Sequence, residues 1–286
     1  MSATCERNAV GRARSFLFTP ASSERMLAKL VSASADVVVV DLEDGVAADR
    51  KGEARELYHA VYPALCGASA TLAVRINGEE DAEHSADLEL LAAAPPAAVV
   101  IPKASAVSVR RAAAIGLPLI AAVETAAAVL EAVAIAAVER VAALTIGAAD
   151  LGNELGIEDR DDRQQLLAAR SAIVLASAAA GLRRPIDAVF MDVGDATGLA
   201  AESRYARTLG FGGKAAIHPS QVETINAAFS PSPEQLSWAR RVLDAYEEAS
   251  ADGRGATSLE GELVDLPVVA RARDLLIRSG EGEARP

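Results

Sequence analysis

The sequence predicts a (β/α)8 barrel followed by a C-terminal helical extension that forms an arm or lid. Short β-branched runs are followed eight times by Ala-rich stretches with apolar residues at helical spacing. The runs are almost continuously apolar, which indicates strands buried on both faces and hence a parallel sheet. Strict alternation leaves a barrel or a doubly wound sheet. Eight units within about 215 residues favour the barrel, whose usual size is ~200–250 residues.

The predicted strands occur at regular intervals along the chain. They lie at 15–20, 36–42, 71–77, 97–103, 118–124, 141–147, 187–193 and 214–218. Helices are predicted between them, for example at 23–34 and 163–180. Only 3% of the residues are aromatic, so the core must consist of Ala, Val, Leu and Ile, the side chains that fill barrel interiors.

The pattern changes after residue 229. A break at 230–233 (SPSP) precedes a charged helix, a Gly/Ser-rich link at 250–258, and a turn and helix that begin ELVDLPVV. These features fall outside the eightfold repeat. We therefore divide the chain into a catalytic barrel domain, 1–229, and a C-terminal helical arm or lid, 230–286.

The composition excludes several classes of partner. The chain has 286 residues and a formal net charge of -12 without a block of Lys and Arg, so no nucleic-acid partner is expected. No stretch reads as a membrane span. Cys5 and Cys66 lie in no CxxC or Cys/His cluster, which argues against zinc and disulfide frameworks. We expect a protein of the reducing cytoplasm with neither nucleic-acid nor membrane partners.

Polar side chains gather where the predicted strands end. They are Glu43, Asp44, Arg75, Lys103, Glu124, Asp150, Asp192 and His218. In a (β/α)8 barrel the carboxyl ends of all strands meet at one mouth, where active sites lie. Eight such groups on one rim are more than the solvation of loops requires, so the sequence predicts an active site there.

Glu124 and Asp150 are the sharpest pair among these groups. They follow neighbouring strands, and no cysteine or histidine ligand accompanies them. Such a pair suits Mg2+, with Mn2+ as an alternative, because Mg2+ is held by one or two carboxylates while water and substrate oxygens complete the octahedron. The alternative is a pair of salt bridges to Lys103 or Arg75.

Three basic residues are candidates for substrate binding. Arg75 lies between Val74 and Ile76 and offers a planar donor fork for a carboxylate or carbonyl oxygen. The alternative is a structural ion pair with the acids at 43 and 44. Arg14, just before the first strand, is a weaker candidate of the same kind. Lys103 is weaker still, either as a Schiff-base lysine or, by preference, as the partner of an acidic neighbour.

Other groups allow more ordinary interpretations. Lys51 and Arg55 lie one turn apart on a predicted helix, where they form a solvated face or a basic spot for the phosphates of a large ligand. His218 is an acid or base, or a structural hydrogen-bonding residue before Pro219.

The chain resembles the citrate lyase β-subunit and malyl-CoA lyase family of the pyruvate/phosphoenolpyruvate barrel superfamily. The stretches that carry the resemblance occur in family order within 14–229. They are RSFLFTPASSERMLAKL, VVVVDLEDGV, LAVRIN, IPK, ETAAAVL, IGAADLGNELG, PIDAVFMDV and LGFGGKAAIHPSQV. The tail resembles the family again at GELVDLPVVARA. Two departures concern substrate fit: Ser105 stands where an acid is usual, and Ala21 where a glycine is usual.

The resemblance implies roles for most of these residues. Glu124 and Asp150 would ligate Mg2+, and Arg75 would hold the substrate beside it. Glu43 and Asp44 would lie in or next to the metal's coordination sphere. Asp265 matches a tail aspartate that enters a neighbouring subunit's site as an acid, which implies a homo-oligomer, a trimer or hexamer.

The predicted activity is Mg2+-dependent cleavage of a carbon–carbon bond in a 3-hydroxyacyl-CoA of the citryl, malyl or citramalyl type, with CoA as part of the substrate. The products would be a keto acid and an acyl-CoA. Three alternatives stay open: an aldolase acting on free hydroxy-keto acids, a malyl-CoA-type thioesterase or synthase, and the β-subunit of a citrate lyase complex.

Overall fold

The computed structural model describes residues 10–158 and 164–281. Cys5 and the first residue of the helix predicted at 163–180 lie outside the described residues. The chain divides into two compact units, with the boundary between Phe229 and Ser230. In the described part of the chain, no helix combines the length and apolar character that a membrane span requires.

The first unit is a closed barrel of eight parallel strands in sequential order, so the predicted fold class is confirmed. The strands are β1 Ser15–Pro20, β2 Val37–Asp41, β3 Thr71–Arg75, β4 Ala98–Ile101, β5 Leu119–Val123, β6 Val141–Ile146, β7 Ile186–Asp187 and β8 Gly213–Ala216. Pairing of β1 with both β2 and β8 closes the sheet.

Helices follow the strands and form the outer layer of this unit. They are α1 Glu24–Leu30, α2 Lys51–Cys66, α3 His84–Ala93, α4 Ala106–Ala112, α5 Ala126–Leu130, α6 Ala132–Ala136, α7 Ala148–Leu155, α8 Leu167–Ala179, α9 Ala196–Leu209 and α10 Val222–Phe229. Because each helix follows its strand, the loops that enter the helices all leave from one end of the barrel, the mouth.

Side chains alternate between two apolar cores along each strand. In β2, Val37 and Val39 belong to the interior cluster, whereas Val38 and Val40 pack in the layer between strands and helices. The interior cluster also contains Phe16, Ala73, Ala98, Val100, Ile120, Ala143 and Ile186. This alternation decides which strand residues can reach the mouth from inside the barrel.

The prediction of a strand at 187–193 is wrong beyond its first residue. β7 contains only Ile186 and Asp187. After it the backbone leaves the ladder, and the carbonyl of Phe190 accepts a hydrogen bond from Nε2 of Gln221 at 2.8 Å. The pairing of β7 with β8 is correspondingly short, Ile186 with Gly213 and Asp187 with Lys214.

Buried charges reinforce this seam. Lys214 of β8 is fully buried, and its Nζ donates to Asp187 at 2.7 Å and to Glu202 of α9 at 2.5 Å. Asp187 also accepts a hydrogen bond of 2.7 Å from Arg170 of α8. One network thus ties two strands to the two helices that cover them.

The second unit is a helix pair with a β-hairpin between the helices. Its elements are α11 Pro233–Ala251, β9 Thr257–Leu259, β10 Glu262–Val264 and α12 Leu266–Ser279. Its core contains Ala239, Val242, Val264, Val269, Ala272 and Leu275. The hairpin was not predicted from the sequence. Its turn, Glu260–Gly261, has positive φ at both residues, the geometry that suits a two-residue hairpin.

The buried network gives a prediction about stability. Replacing Lys214 by Met should lower the free energy of unfolding by about 3–5 kcal/mol, because Asp187 and Glu202 would lose their shared cation in a dry environment. Arg50→Met is the matched control, since its pair with Glu53 is exposed and should contribute little. Denaturant unfolding measures both. Equal effects for the two variants would contradict the structural importance of this network.

Candidate active site

Asp41 organises the mouth, although sequence reasoning missed it. It is the last residue of β2, on the interior face with Val37 and Val39, directly opposite Arg75 of β3. Its carboxylate accepts hydrogen bonds from Nε and Nη2 of Arg75 at 2.7 and 2.8 Å. It also accepts the backbone N–H groups of Glu43 and Gly45 at 2.9 and 3.0 Å. The period-two alternation of β2 was the signal that could have identified it.

Arg75 is the buried cation of the site. Burial is the largest single effect on its pKa and lowers it, but the hydrogen bonds to Asp41 and the charges of Asp41, Glu43 and Asp44 together raise the pKa above its ordinary value. The guanidinium carbon lies 5.6 Å from the centre of the Phe18 ring. Its Nε/Nη2 edge is bonded to Asp41, so only the Nη1 side and one further N–H of Nη2 can reach a substrate.

Glu43 lies between two cations. One carboxylate oxygen is 2.8 Å from Nη1 of Arg75, but the contact is not aligned as a hydrogen bond. The other oxygen is 3.4 Å from Nζ of Lys103. Burial raises the pKa of Glu43 in spite of both cations. Asp44 is exposed, and its charge further raises the pKa values of Glu43, Arg75 and Lys103.

Glu124 follows β5 and is 4% exposed. Lys103 has a φ of 43°, uncommon outside glycine, and its N–H donates to Oε1 of Glu124 at 2.5 Å. Within the described residues this is the only hydrogen bond that the Glu124 carboxylate accepts, and it forms no salt bridge. Burial, together with the charges of Glu43 and Asp150, raises the pKa of Glu124 from 4.5 to about 7.

Gly147 allows the next segment to approach this carboxylate. A Cβ at this position would lie 2.3 Å from Cβ of Glu124 and 2.5 Å from its Oε2, so no side chain fits. Asp150 follows in the first turn of α7 and is half-buried. After burial and the charge of Glu43, the charge of Asp150 contributes to the raised pKa of Glu124. The backbone therefore brings two acids together beside a residue that cannot carry a side chain.

These two acids suit a hard cation. Glu124 is a buried carboxylate without a salt bridge, and a second acid stands near it, so a divalent ion would relieve a charge that the protein leaves uncompensated. Within residues 10–158 and 164–281 there is no cluster of three or more acidic, histidine or cysteine ligands. Water and substrate oxygens would therefore supply most of the coordination.

The remaining predicted residues lie elsewhere or have structural partners. Arg14 precedes β1, at the opposite end of the barrel from the mouth, where it forms a bidentate pair with Asp36. The expectation that Arg14 binds substrate is therefore corrected. His218 is exposed and caps a short turn through Ser220. Asp265 caps α12 of the second unit and accepts the N–H of Val268 at 3.3 Å.

Lys51 and Arg55 form neither the solvated face nor the basic spot that were predicted from their spacing. Lys51 is 7% exposed, and its Nζ donates to the carbonyls of Leu42 and Glu43, as well as to Asn77. Arg55 forms salt bridges with Glu83 and Asp87. Their hydrogen-bonding capacity is directed into the protein.

Fold and site together define a barrel enzyme with an acidic, arginine-containing mouth. Residues 14–219 match the model of the HpcH/HpaI aldolase/citrate lyase family, and the chain belongs to that family. The predicted resemblance and the predicted enzyme class are thus confirmed.

Relatives and a solved structure agree with this membership. A (3S)-malyl-CoA thioesterase of Cereibacter sphaeroides is 39% identical over 269 residues, which cover 93% of this chain and 94% of the relative. The mitochondrial citramalyl-CoA lyase of Rattus norvegicus is 30% identical, over 92% of this chain and 85% of the relative. The crystal structure of CitE from Mycobacterium tuberculosis with magnesium, acetoacetate and coenzyme A is 39% identical. It superimposes with a TM-score of 0.81, over 94% of this chain and 98% of that one.

The pKa of Glu124 gives a prediction about pH. The unfolded chain loses this proton near 4.5, while the folded protein keeps it until about 7, so the folded state loses stability between these values. Glu124→Gln removes the penalised charge and keeps an oxygen for the Lys103 N–H. Without divalent metal, the variant should be more stable than the wild type at about pH 8, by on the order of 2 kcal/mol.

Denaturant unfolding with a chelator present, at about pH 8 and about pH 5, measures this difference. The advantage of the variant should shrink towards the lower pH, where the wild-type carboxyl is neutral as well. A variant that is less stable than the wild type at both pH values would contradict the inferred cost of this buried charge.

Proposed function

We propose that this protein is a Mg2+-dependent lyase that cleaves a carbon–carbon bond in a 3-hydroxyacyl-CoA thioester of the citryl, malyl or citramalyl type. The observation that carries the proposal is the pairing of Glu124 with Asp150 at the mouth that also contains Arg75. Carboxylates for a hard cation and a donor for a developing oxyanion are what such a cleavage needs. The named activities of the relatives support the substrate class.

Glu124 and Asp150 would hold the ion, Mg2+ or Mn2+. Glu124 fits because it is buried without a salt bridge, and because burial, followed by the charges of neighbouring acids, raises its pKa. When bound, the divalent ion supplies a Lewis acid that stabilises negative charge on oxygen. Proton release from Glu124 would accompany binding at neutral pH, because the ligand must be ionised.

The protein's own residues would bind the substrate and move the protons. The Nη1 side of Arg75 would contact a substrate oxygen, while Asp41 holds the guanidinium in one orientation. Lys103, whose side chain is 56% exposed, would bind the substrate at the rim. Glu43 would accept the hydroxyl proton. Its raised pKa makes it a stronger base than an ordinary carboxylate, and Asp44 would add negative charge beside it.

Bond cleavage then follows from these positions. As the hydroxyl proton passes to Glu43, the O–H electrons form the carbonyl of the keto acid. The electrons of the broken carbon–carbon bond pass into the enolate of the remaining thioester. An acid completes the reaction by protonating the enolate carbon.

Asp265 is our candidate for that acid, contributed by a second copy of the chain in a homo-oligomer, a trimer or hexamer. Among the described residues, its carboxylate accepts a hydrogen bond only from the N–H of Val268, and at 3.3 Å this bond is long. Leu263 and Leu266 on either side are 63% and 64% exposed. Apolar side chains left open around an acid support an arm that docks on another subunit and excludes water from an enolate.

A thioesterase is the second candidate function. Its support is the relative from Cereibacter sphaeroides, named (3S)-malyl-CoA thioesterase, which is 39% identical over nearly the whole chain. Such an enzyme would direct water at the thioester carbonyl and would release free CoA.

The decisive experiment incubates the protein with citryl-, malyl- and citramalyl-CoA plus Mg2+ and measures keto acid and free thiol separately. A lyase forms keto acid without thiol, whereas a thioesterase forms thiol without keto acid. Turnover of free hydroxy-keto acids would identify an aldolase, and turnover restricted to a carrier-bound acyl group would identify a citrate lyase subunit.

Chelation, Glu124→Gln and Asp150→Asn should each abolish activity. Asp192→Asn, an exposed acid after β7, should not.

Arg75→Lys should fail although it conserves charge. Lysine carries its donors on a single nitrogen, so it cannot pair in one plane with both oxygens of Asp41 and also place an N–H where Nη1 of Arg75 lies. We therefore expect a loss on the order of 2–4 kcal/mol of transition-state stabilisation. Arg14→Lys is the matched control, because Arg14 forms a similar bidentate pair with Asp36 at the other end of the barrel. Measurement of kcat/KM decides. Similar values for both variants would show that Arg75 does not contact the reacting atoms.

Asp265 can be tested with hybrids. Asp265→Asn and Glu124→Gln should each be inactive, and asparagine should still cap α12. Oligomers assembled from both variants should regain activity, because some sites would combine an intact metal centre with an intact arm. Hybrids that assemble yet stay inactive would exclude a role for Asp265 in a neighbouring subunit.

A further inference from the structure

Lys51 is a buried cation for which the reaction proposed above has no use. It begins α2, behind the loop that carries Glu43 and Asp44. Its Nζ is 2.8 Å from the carbonyl oxygens of Leu42 and Glu43, and 2.5 Å from Oδ1 of Asn77. An ammonium group has three N–H donors, and these acceptors use all of them. Lys51 therefore has no donor left for a ligand.

The acceptors of Lys51 belong to two different segments of the mouth. Leu42 and Glu43 follow β2, whereas Asn77 lies two residues after Arg75 of β3. The ammonium thus clamps together the two segments whose side chains, Glu43 and Arg75, meet 2.8 Å apart. The relative position of these two groups depends on the clamp.

The β3 side of the clamp is itself fixed. Asn77 is fully buried, and both its backbone N–H and its Nδ2 donate to Asp87 of α3, at 2.8 and 2.7 Å. Because the amide nitrogen is bound to a carboxylate, its oxygen must face Lys51. Asp87 is held in turn by Arg55, at 3.1 Å. Lys51 is consequently bonded to a side chain whose own position is fixed.

Different side chains bind the backbone N–H groups and the backbone carbonyl groups of the loop after β2. Asp41 accepts hydrogen bonds from the N–H groups of Glu43 and Gly45, and Lys51 donates to the carbonyl oxygens of Leu42 and Glu43. Glu43 is thereby fixed through both its N–H and its C=O. Burying an ammonium group without a carboxylate in contact is costly, and neutral donors could satisfy the same buried carbonyl groups at lower cost. The use of a lysine here therefore indicates a role beyond satisfying these carbonyls.

We propose that Lys51 is a positioning residue for Glu43: it fixes the proton acceptor relative to Arg75 without contacting the substrate. The assignment of Glu43 as proton acceptor rests on the proposed function. A displaced base should slow the chemical step more than it weakens substrate binding, since Arg75 and the metal ligands stay intact.

The experiment compares Lys51→Met with the wild type by amide hydrogen exchange and by kinetics. Exchange at Glu43 and Gly45 should accelerate at least tenfold in the metal-free protein, while amides of α8 keep their rates. Turnover should fall at least tenfold in kcat, with KM changed less than threefold. Lys29→Met, which removes an exposed lysine of α1, is the control and should alter neither measurement.

A second variant covers the case in which Lys51→Met does not fold. Asn77→Ala leaves Lys51 bound to both carbonyls and removes its tie to the segment after β3, together with the hydrogen bond from Nδ2 to Asp87. It should give smaller changes in the same direction. Unchanged exchange at Glu43 and Gly45 in a folded variant would overturn the clamp, whatever the activity. Faster exchange with unchanged kcat would overturn the positioning role. A wild type inactive on every thioester would refute the proposed function, and the exchange data would still decide on the clamp.

Discussion

The carboxylate of Asp41 is the constraint on which the mouth of the barrel depends. It binds a side chain of the next strand and two backbone amides of its own loop, so one group orients both the Arg75 guanidinium and the loop that carries Glu43. Glu43 then approaches Lys103, whose backbone N–H fixes Glu124. The order of contacts runs from β2 to β5 around the rim, and each member limits where the next can lie.

Acids outnumber bases along this series of contacts. Asp41, Glu43 and Glu124 are buried, while Arg75 and Lys103 are the cations that lie among them. The imbalance explains why burial raises the pKa values of two of these carboxylates instead of being offset by salt bridges. A protein that needed only stability would pair or neutralise such groups. An excess of negative charge in a concave polar site is what a divalent ion can correct.

Much of the fold and part of the site followed from the sequence, for identifiable reasons. Eight continuous apolar runs that alternate with Ala-rich helical segments are compatible with few folds other than a parallel barrel. Glu124 and Asp150 were visible because each ends or follows such a run. Asp41 was missed because it lies within a run that reads as strand. Arg14 was wrongly assigned to the substrate site because it was judged by its closeness to β1, although it precedes that strand and so lies at the end of the barrel opposite the mouth.

Other features depend on contacts between segments distant in sequence. Helical spacing gave Lys51 a solvent-facing position, but the side chain at the start of α2 turns back under the loop after β2. The length of β7 was overestimated because its apolar composition does not show where the strand ends. Nor does it show that Gln221, more than 25 residues later, donates a hydrogen bond to the carbonyl of Phe190. The hairpin of the second unit was hidden by a composition typical of linkers.

The seam between β7 and β8 has a consequence for how the barrel responds to temperature. This seam is closed mainly by the network of Lys214, Asp187, Glu202 and Arg170. Hydration of charged groups becomes less favourable on heating, so the cost of burying these four charges falls as the temperature rises. The apolar packing of the two barrel cores does not gain in the same way. Warming therefore increases the share of the barrel's cohesion that this charge network contributes, and cooling decreases it.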